Sequence, residues 1–574
     1  MKRAKENSTL WIAGVTAVSA ILVCCLWRLY YATVDDVFYR NIIVGKYTGN
    51  IRPNGTMIKY PLALVLALAS TVFSTVDVYG IFLEMSHFLC FFLIAGCVLR
   101  RLPSGRMSAL CMICMVFWVT DIPNIIFVQF TTTAAVYAAA GVFILLLEKD
   151  GIKEQLSSIC MLVMSVCVRK ETFIMVLPFI LLVWMLRLWD GYRLGRHMGK
   201  SVRQCFFYLL ILSALYGGII MVDDLTGDRD QIHEEYRTHR ANVRDYDGVP
   251  DYDAYPEFYQ SLGENGMSRA EYTLITQQMV IFDFSTDIHD VFKYMHGLNL
   301  ENRARLETKY KLAAAKTKFL TVWERVLVKP QIIIAGLTWV IVGIWLLIRK
   351  RRMYLLFALA GGLGIIGEAF VLLYRGRMPE RVMQSLMLTA VLFFLGILAR
   401  AFLQQEQEQD KERRTRRGNR ICYAMLAASY IAVFTIMLLP AIYAQQTEYE
   451  ERYRTNSIVD DYCAKHPENI YFTVGSIGDT DQLGSKYDNN FVNYISPILN
   501  LGPSYYELLE RAGIEGTAEQ AITTQDNVYL LGKEGNARFI ALDEYFAEKY
   551  KEAYSCEVVD SLEDSFCVWK VQVH

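Results

Sequence analysis

Two adjacent acids, Asp35 and Asp36, stand in "YATVDDVFYRNIIVGKYTGN", residues 31–50, only a few positions beyond an apolar stretch long enough to cross a membrane. A carboxylate at a membrane surface can accept the proton of an attacking hydroxyl, or hold a divalent ion beside a phosphate. Adjacent side chains need not point the same way. One acid can face a reacting centre while the other orients a loop or a metal. The plain alternative is a helix N-cap or a solvated loop.

Cations lie where such chemistry would need them. Arg40, Lys46 and Lys59 follow the acidic pair, "VRKE" supplies Arg169, Lys170 and Glu171, and "YRGRMPERV" supplies Arg375, Arg377 and Arg381. The rigid guanidinium fork suits phosphate, so these residues are candidate ligands of an anionic substrate. Pairing with Glu368, Glu380 and phospholipid headgroups is the structural alternative. Further candidates are Asp121, where "WVTDIPN" breaks an apolar helix before Pro123, and Glu84 with His87 in "LEMSHFL". That pair is functional by default inside a membrane, or the two satisfy each other. Asp223 and Asp224 open a large polar segment and either line the same cavity or start a solvated loop. No zinc-like cluster, P-loop, dinucleotide fingerprint or protease motif is present.

These residues need a scaffold, and the composition says which kind. The 574 residues are 53% hydrophobic and 20% charged, with a net charge of −1. Nothing global points to nucleic acid, and the long apolar blocks exclude an ordinary soluble enzyme. Residues 1–443 read as a membrane domain of eleven spans, near 10–30, 79–99, 107–122, 131–147, 156–168, 172–189, 204–222, 330–348, 353–373, 382–402 and 421–443. Lys2, Arg3, Lys5, Arg100, Arg101, Arg106, Arg193, "RKRR" at 349–352 and "KERRTRR" at 411–417 fall on one side of that layout. The positive-inside bias makes that side cytoplasmic. A multi-pass protein of the cell membrane follows, with a cytoplasmic N-terminus and an extracytoplasmic C-terminus.

Three regions then face outward. Residues 31–78 carry the acidic pair and "YPLALVLALASTVF", too short for a span and suited to the interface or to dipping into the protein. Residues 223–325 form a polar segment, helical with turns at "DYDGVPDYDAYP". Residues 444–574 read as a small α/β domain, with strands at "NIYFTV" and "NVYLL", helices at "SYYELLERAGI" and "LDEYFAEKYKEAY", and a terminal hairpin. Cys556 and Cys567 either bridge that hairpin in an oxidising exterior or remain two thiols. Most of the other cysteines lie in or beside apolar segments, as small hydrophobes do.

The acids in the first outer loop, the polytopic core and the outer soluble tail together resemble the integral-membrane glycosyltransferases of the GT-C fold. "DDVFYRNIIVGKYTG" with "IKYPLALVLALASTVFSTVDVYG" resembles a membrane-protein family of Gram-positive gut bacteria, and "YRGRMPERV" and "EEYRTHRANVRDYDGVPDYDAYPEFYQSLG" are similar to later parts of it. The GT-C resemblance implies a sugar donor linked to polyprenyl phosphate, a cell-surface glycan or lipid acceptor, and reaction on the outer face. The role of base, or of metal neighbour, falls on Asp35 or Asp36. Some GT-C branches use a divalent cation, Mg or Mn, and others do not, so the resemblance leaves the metal open. Better-known branches carry a second acidic motif in another outer loop; here only Asp121 and Asp223–Asp224 are on offer. The alternatives are a transporter or flippase of lipid-linked glycans and a non-catalytic protein of the cell envelope.

Overall fold

Residues Phe130–Leu147 contain no charged side chain, and every one of them is buried. A helix apolar all round must be surrounded by protein, and the rest of the membrane domain is arranged about this one. The computed structural model describes residues 2–574 except 54–56, 103–105, 150, 194, 196–197, 227–230, 263–265, 307, 327–328, 375–377, 408–411, 476–480, 485–492 and 497–502.

The chain begins with α1 (Lys2–Leu26), a two-residue strand β1 (Tyr30–Tyr31), α2 (Val34–Val44), α3 (Tyr60–Val72), α4 (Val78–Arg101) and α5 (Arg106–Val116). A π-helical turn, Phe117–Asp121, leads into α6 (Ile122–Ile126), β2 (Phe127–Val128) and the central helix α7 (Phe130–Leu147). Then come α8 (Ile152–Val168), α9 (Lys170–Arg193), α10 (Met198–Thr226), α11 (Gln231–Ala241), α12 (Pro256–Gln260), α13 (Arg269–Thr276), α14 (Ile288–Arg305) and α15 (Thr308–Val326). Four long helices follow: α16 (Pro330–Ile348), α17 (Arg352–Tyr374), α18 (Glu380–Gln407) and α19 (Glu412–Val433), the last running through a π-helical turn into α20 (Leu439–Lys465). Helix α7 packs on α4, α8, α9 and α18.

Among the described residues, nine helices are long and apolar enough to cross a membrane, and Leu10–Leu26 is a shorter apolar helix. The chain is a polytopic α-helical membrane protein with a C-terminal α/β domain. The expected span 156–168 falls in α8, which has 17 residues. At about 1.5 Å per residue that is some 25 Å, short of a bare bilayer crossing, so it does not join the nine.

The C-terminal domain is built from β3 (Ile470–Val474), β4 (Tyr494–Ile495), α21 (Pro503–Arg511), α22 (Ala518–Thr524), β5 (Val528–Lys533), α23 (Ala537–Tyr550), β6 (Tyr554–Ser561) and β7 (Phe566–Val573). The sheet order is β4-β3-β5-β7-β6, with β3 parallel to β4 and β5, and β7 antiparallel to β5 and β6. The terminal hairpin overturns the proposed disulfide. Its register sets Cys556 opposite Val571 and Cys567 opposite Ser561. Four residues of strand, about 13 Å, separate the two positions, and both thiols are free.

The polar segment after α10 is folded against this domain. Met279, Ile281 and Phe282 enter the same core as Phe472, Leu530 and Trp569. The buried Glu519 carboxylate accepts hydrogen bonds from the Asp283 amide at 2.8 Å and the Tyr545 hydroxyl at 2.9 Å.

The first loop is fastened to this domain as well. β1 pairs in parallel with β2 (Tyr30 with Phe127) and forms an antiparallel bridge to Gln482. The Tyr31 amide donates to the Asp481 carbonyl at 3.0 Å, and the Leu483 amide to the Leu29 carbonyl at 2.9 Å. A strand two residues long is thus bonded along both edges, which satisfies its buried backbone. Beneath it, the Tyr31 hydroxyl donates to Asp77 at 2.7 Å, and the Asp77 carboxylate also caps α4 through the Gly80 amide at 2.9 Å. A Cβ on Gly80 would lie 2.4 Å from the Tyr31 hydroxyl oxygen.

Gly80→Ala is therefore expected to lower the thermal unfolding temperature of the detergent-solubilised protein. Gly217→Ala, a helical position with nothing within 4 Å, should shift stability by no more than about 1 kcal/mol. Equal shifts in the two variants would refute the packing argument.

Candidate active site

Helix α2 opens with the acidic pair in its first turn. Successive helical residues diverge by about 100°, and the two acids are sent to different places. Asp36 points inward and is fully buried. It accepts hydrogen bonds from the Thr33 hydroxyl at 2.7 Å, the Tyr79 hydroxyl at 2.9 Å and the Phe130 amide at 2.9 Å. One carboxylate thus joins the start of α2 to the first turns of α4 and α7. Asp35 points outward, is 42% exposed, and lies 3.4 Å from the Arg381 guanidinium in the first turn of α18. The Arg381 Nε is buried without a hydrogen-bond partner.

Arg169 approaches from the α8–α9 turn. Its guanidinium stands over the Phe130 ring at 5.2 Å, donates to the Thr131 hydroxyl and lies 3.6 Å from Glu171. Tyr39 also meets the Phe130 ring, edge-on at 5.4 Å. Tyr39 is one helical turn after Asp35, on the same face of α2. Burial, then Asp35 and Asp36, hold its phenol well above the usual tyrosine range, while Arg237 and Arg169 pull it down. The cluster therefore contains a residue that charge patterning alone did not single out, Tyr39, which its spacing from Asp35 could have revealed.

The other candidates lie elsewhere or are already engaged. Arg40 is buried in ion pairs with Asp77 (3.4 Å) and Asp481, its guanidinium over the Tyr31 ring; it fastens the C-terminal domain to α2. Lys59 meets Asp223 at 2.6 Å, and the same carboxylate accepts the Tyr60 amide at 2.8 Å, capping α3. Asp224 follows it near the end of α10. Lys170 opens α9, half-buried beside Arg169. Arg375 and Arg377 lie outside the described residues.

Asp121 neither reaches the Asp35 cluster through its own hydrogen bond nor caps α6. Its carboxylate is 2.8 Å from His87 Nδ1, and His87 Nε2 is 3.0 Å from the Thr133 hydroxyl. Of the two alternatives for Glu84 and His87, mutual hydrogen bonding is not what the structure has. Glu84 accepts instead from the Cys24 thiol at 3.7 Å. The His87 site is tied to the first loop indirectly: Thr133 donates to the Gln129 carbonyl at 2.9 Å, and the Gln129 amide group donates to Thr33 at 3.5 Å.

Among the described residues, the donor set does not fit a protein-held divalent cation. Both Asp36 oxygens are occupied by three donors, which leaves Asp35 as the one available carboxylate of the pair. No group of three or more His, Cys, Asp or Glu among the described residues could hold a metal. What the arrangement offers is one half-exposed carboxylate beside the Arg381 guanidinium, with the Tyr39 phenol and the Arg169 guanidinium both on the Phe130 ring.

Burial raises the Asp36 carboxyl to about 7, against the lowering effect of Thr33, the Phe130 amide and Tyr79. The folded protein thus holds this proton at pH values where the unfolded chain has lost it. The stability contributed by Asp36 is present below about pH 4 and is lost as pH rises to about 7. Asp36→Asn keeps the neutral shape. The wild type should lose up to about 4 kcal/mol relative to this variant across that window, measured by thermal unfolding at a series of pH values. A constant difference would refute the assignment.

No known family profile matches the chain, and no curated protein matches it in sequence. Two solved structures do align along nearly its whole length, both of ArnT from Cupriavidus metallidurans. The apo form is 11% identical with a TM-score of 0.37, covering 98% of each chain. The form bound to undecaprenyl phosphate is 12% identical with a TM-score of 0.36, covering 98% of this chain and 97% of its own. Likeness this distant assigns the present chain neither substrate nor activity.

Proposed function

We propose that the protein is a membrane-embedded glycosyltransferase of the GT-C type. It takes a sugar from a polyprenyl-phosphate carrier and passes it to a hydroxyl of a cell-surface glycan or lipid. The observation that carries this reading is the meeting of Asp35 with Arg381, beside Tyr39 and Arg169, where α2 and α18 begin.

The chemistry needs little more. An acceptor hydroxyl attacks the anomeric carbon, and Asp35 takes its proton. The bond from that carbon to the phosphate oxygen breaks, and the departing phosphate gains charge. Arg381 and Arg169 stabilise that charge through hydrogen bonds that strengthen as it develops. The 3.4 Å contact of Asp35 with Arg381 is long for an ion pair and half-exposed. Such pairs contribute about 1 kcal/mol or less, so an incoming phosphate displaces the carboxylate at little cost and frees it to act as base. Asp36 does not touch the substrate in this scheme. It holds the first turn of α2 so that Asp35 stays beside Arg381.

On this reading the reaction faces outward, the N-terminus is cytoplasmic and the C-terminal domain extracytoplasmic. Positive charge at the opposite loops supports that orientation.

Asp35→Asn should lower transfer by about 10²–10⁴-fold while leaving the protein folded. Arg381→Ala should cost a comparable factor, with Arg381→Lys recovering part of it. The measurement is transfer from a panel of polyprenyl-phosphate monosaccharides in reconstituted vesicles. Wild-type rates in both Asp35→Asn and Arg381→Ala would sink the assignment. Movement of the intact lipid-linked sugar across the vesicle wall without transfer would replace it with a flippase.

A further inference from the structure

Helix α15 is poorly explained by the fold around it. Its 19 residues carry five basic residues and one acidic. It is not one of the nine apolar spans. It nevertheless stands at the level where two of those spans end. The span α16 starts at Pro330, four positions after the last residue of α15. Phe319 rests on Phe370 with ring centroids 5.9 Å apart, and Phe370 is about one turn from the end of the span Arg352–Tyr374.

Its exposed face has an unusual make-up for water. Leu312 and Leu320 are 55% and 49% exposed. Lys316 lies midway between them at four-residue spacing, and exposed Lys309 is two turns before Lys316. The four fall within an arc of about 80° at 100° per residue. Phe319, directed at α17, borders that arc. The apolar part of the stripe therefore continues a surface that is already in contact with a membrane span.

We propose that this face of α15 lies on the bilayer surface and binds the headgroups of anionic phospholipids. Leu312 and Leu320 enter the boundary between headgroups and acyl chains. The lysine stems run along the same apolar layer and present their ammonium groups to lipid phosphate. Charge complementarity favours lipid over a second copy, because an isologous contact would set this lysine stripe against itself. The position also matters. Lys329, in the link to α16, pairs with Glu380 at 3.1 Å, the residue before Arg381. Anionic headgroups gathered by α15 would thus sit next to the start of α18. The proposal stands whether or not the protein transfers sugar.

The test uses the full chain in nanodiscs, with an environment-sensitive fluorescent residue at Leu312 and a control at Val558, exposed on β6. Lipids brominated in the acyl chain report depth. Bromolipid should quench the probe at Leu312 and leave the one at Val558 unaffected. Brominated phosphatidylglycerol, diluted in phosphatidylcholine, should be enriched around the Leu312 probe by roughly five-fold per lysine. Lys309→Gln with Lys316→Gln should abolish that enrichment while the helical circular-dichroism signal is kept. Equal quenching at the two positions would overturn the proposal. So would energy transfer between labelled copies without lipid quenching, which would give the face to a second copy, and so would an enrichment that survives the double substitution.

Discussion

A single buried carboxylate holds the candidate site together. Asp36 gathers a hydroxyl from its own loop, a phenol from α4 and the first free amide of α7. Three elements far apart in sequence are brought to one oxygen pair. A carboxyl buried this deeply is costly unless its partners are in place, so the cluster forms as a unit or not at all. Its neighbours inherit their positions from this knot, including the direction of Asp35 and the ring of Phe130, which meets both Tyr39 and Arg169.

The second constraint is the seam between the first loop and the C-terminal domain. Strand β1 is bonded to the membrane bundle along one edge and to residues 481–483 along the other. Arg40 spans the same seam from Asp77 to Asp481 with its charge buried. Removing one member of such a pair strands the other charge. The helix that carries Asp35 is consequently braced from two sides, by the central bundle through Asp36 and by the sheet domain through Arg40.

Much of this architecture was legible in the chain. Long apolar blocks, alternation in "NIYFTV" and the helical run of "LDEYFAEKYKEAY" correspond to spans, β3 and α23 because each is a local periodicity. The acids and arginines of interest could be named from charge type alone. Their division of labour could not. Asp35 and Asp36 are equivalent as letters and separate only once α2 has a direction. Arg40 and Lys59 looked like substrate ligands, but partners 441 and 164 residues away claim them. Strand β1 has two residues and no pattern to read. Cys556 and Cys567 flank a turn and invite a bridge, yet hairpin register depends on a bulge between Val558 and Asp560 that composition does not announce.

Helices α19 and α20 make one continuous rod that leaves the bundle and enters the sheet domain, with a π-helical turn at Phe434–Leu438. Such turns are where helices bend. The 27 residues beyond it measure about 40 Å, so a 10° swing there carries the far end about 7 Å sideways. Part-way along that stretch the Tyr449 hydroxyl donates to the Ala32 carbonyl at 2.8 Å and its ring meets Tyr30, so the rod carries both the first loop and the domain that grips Arg40. Any such swing either breaks those contacts or drags the first loop along, so the geometry of the acid-bearing helix is mechanically coupled to the angle at this turn.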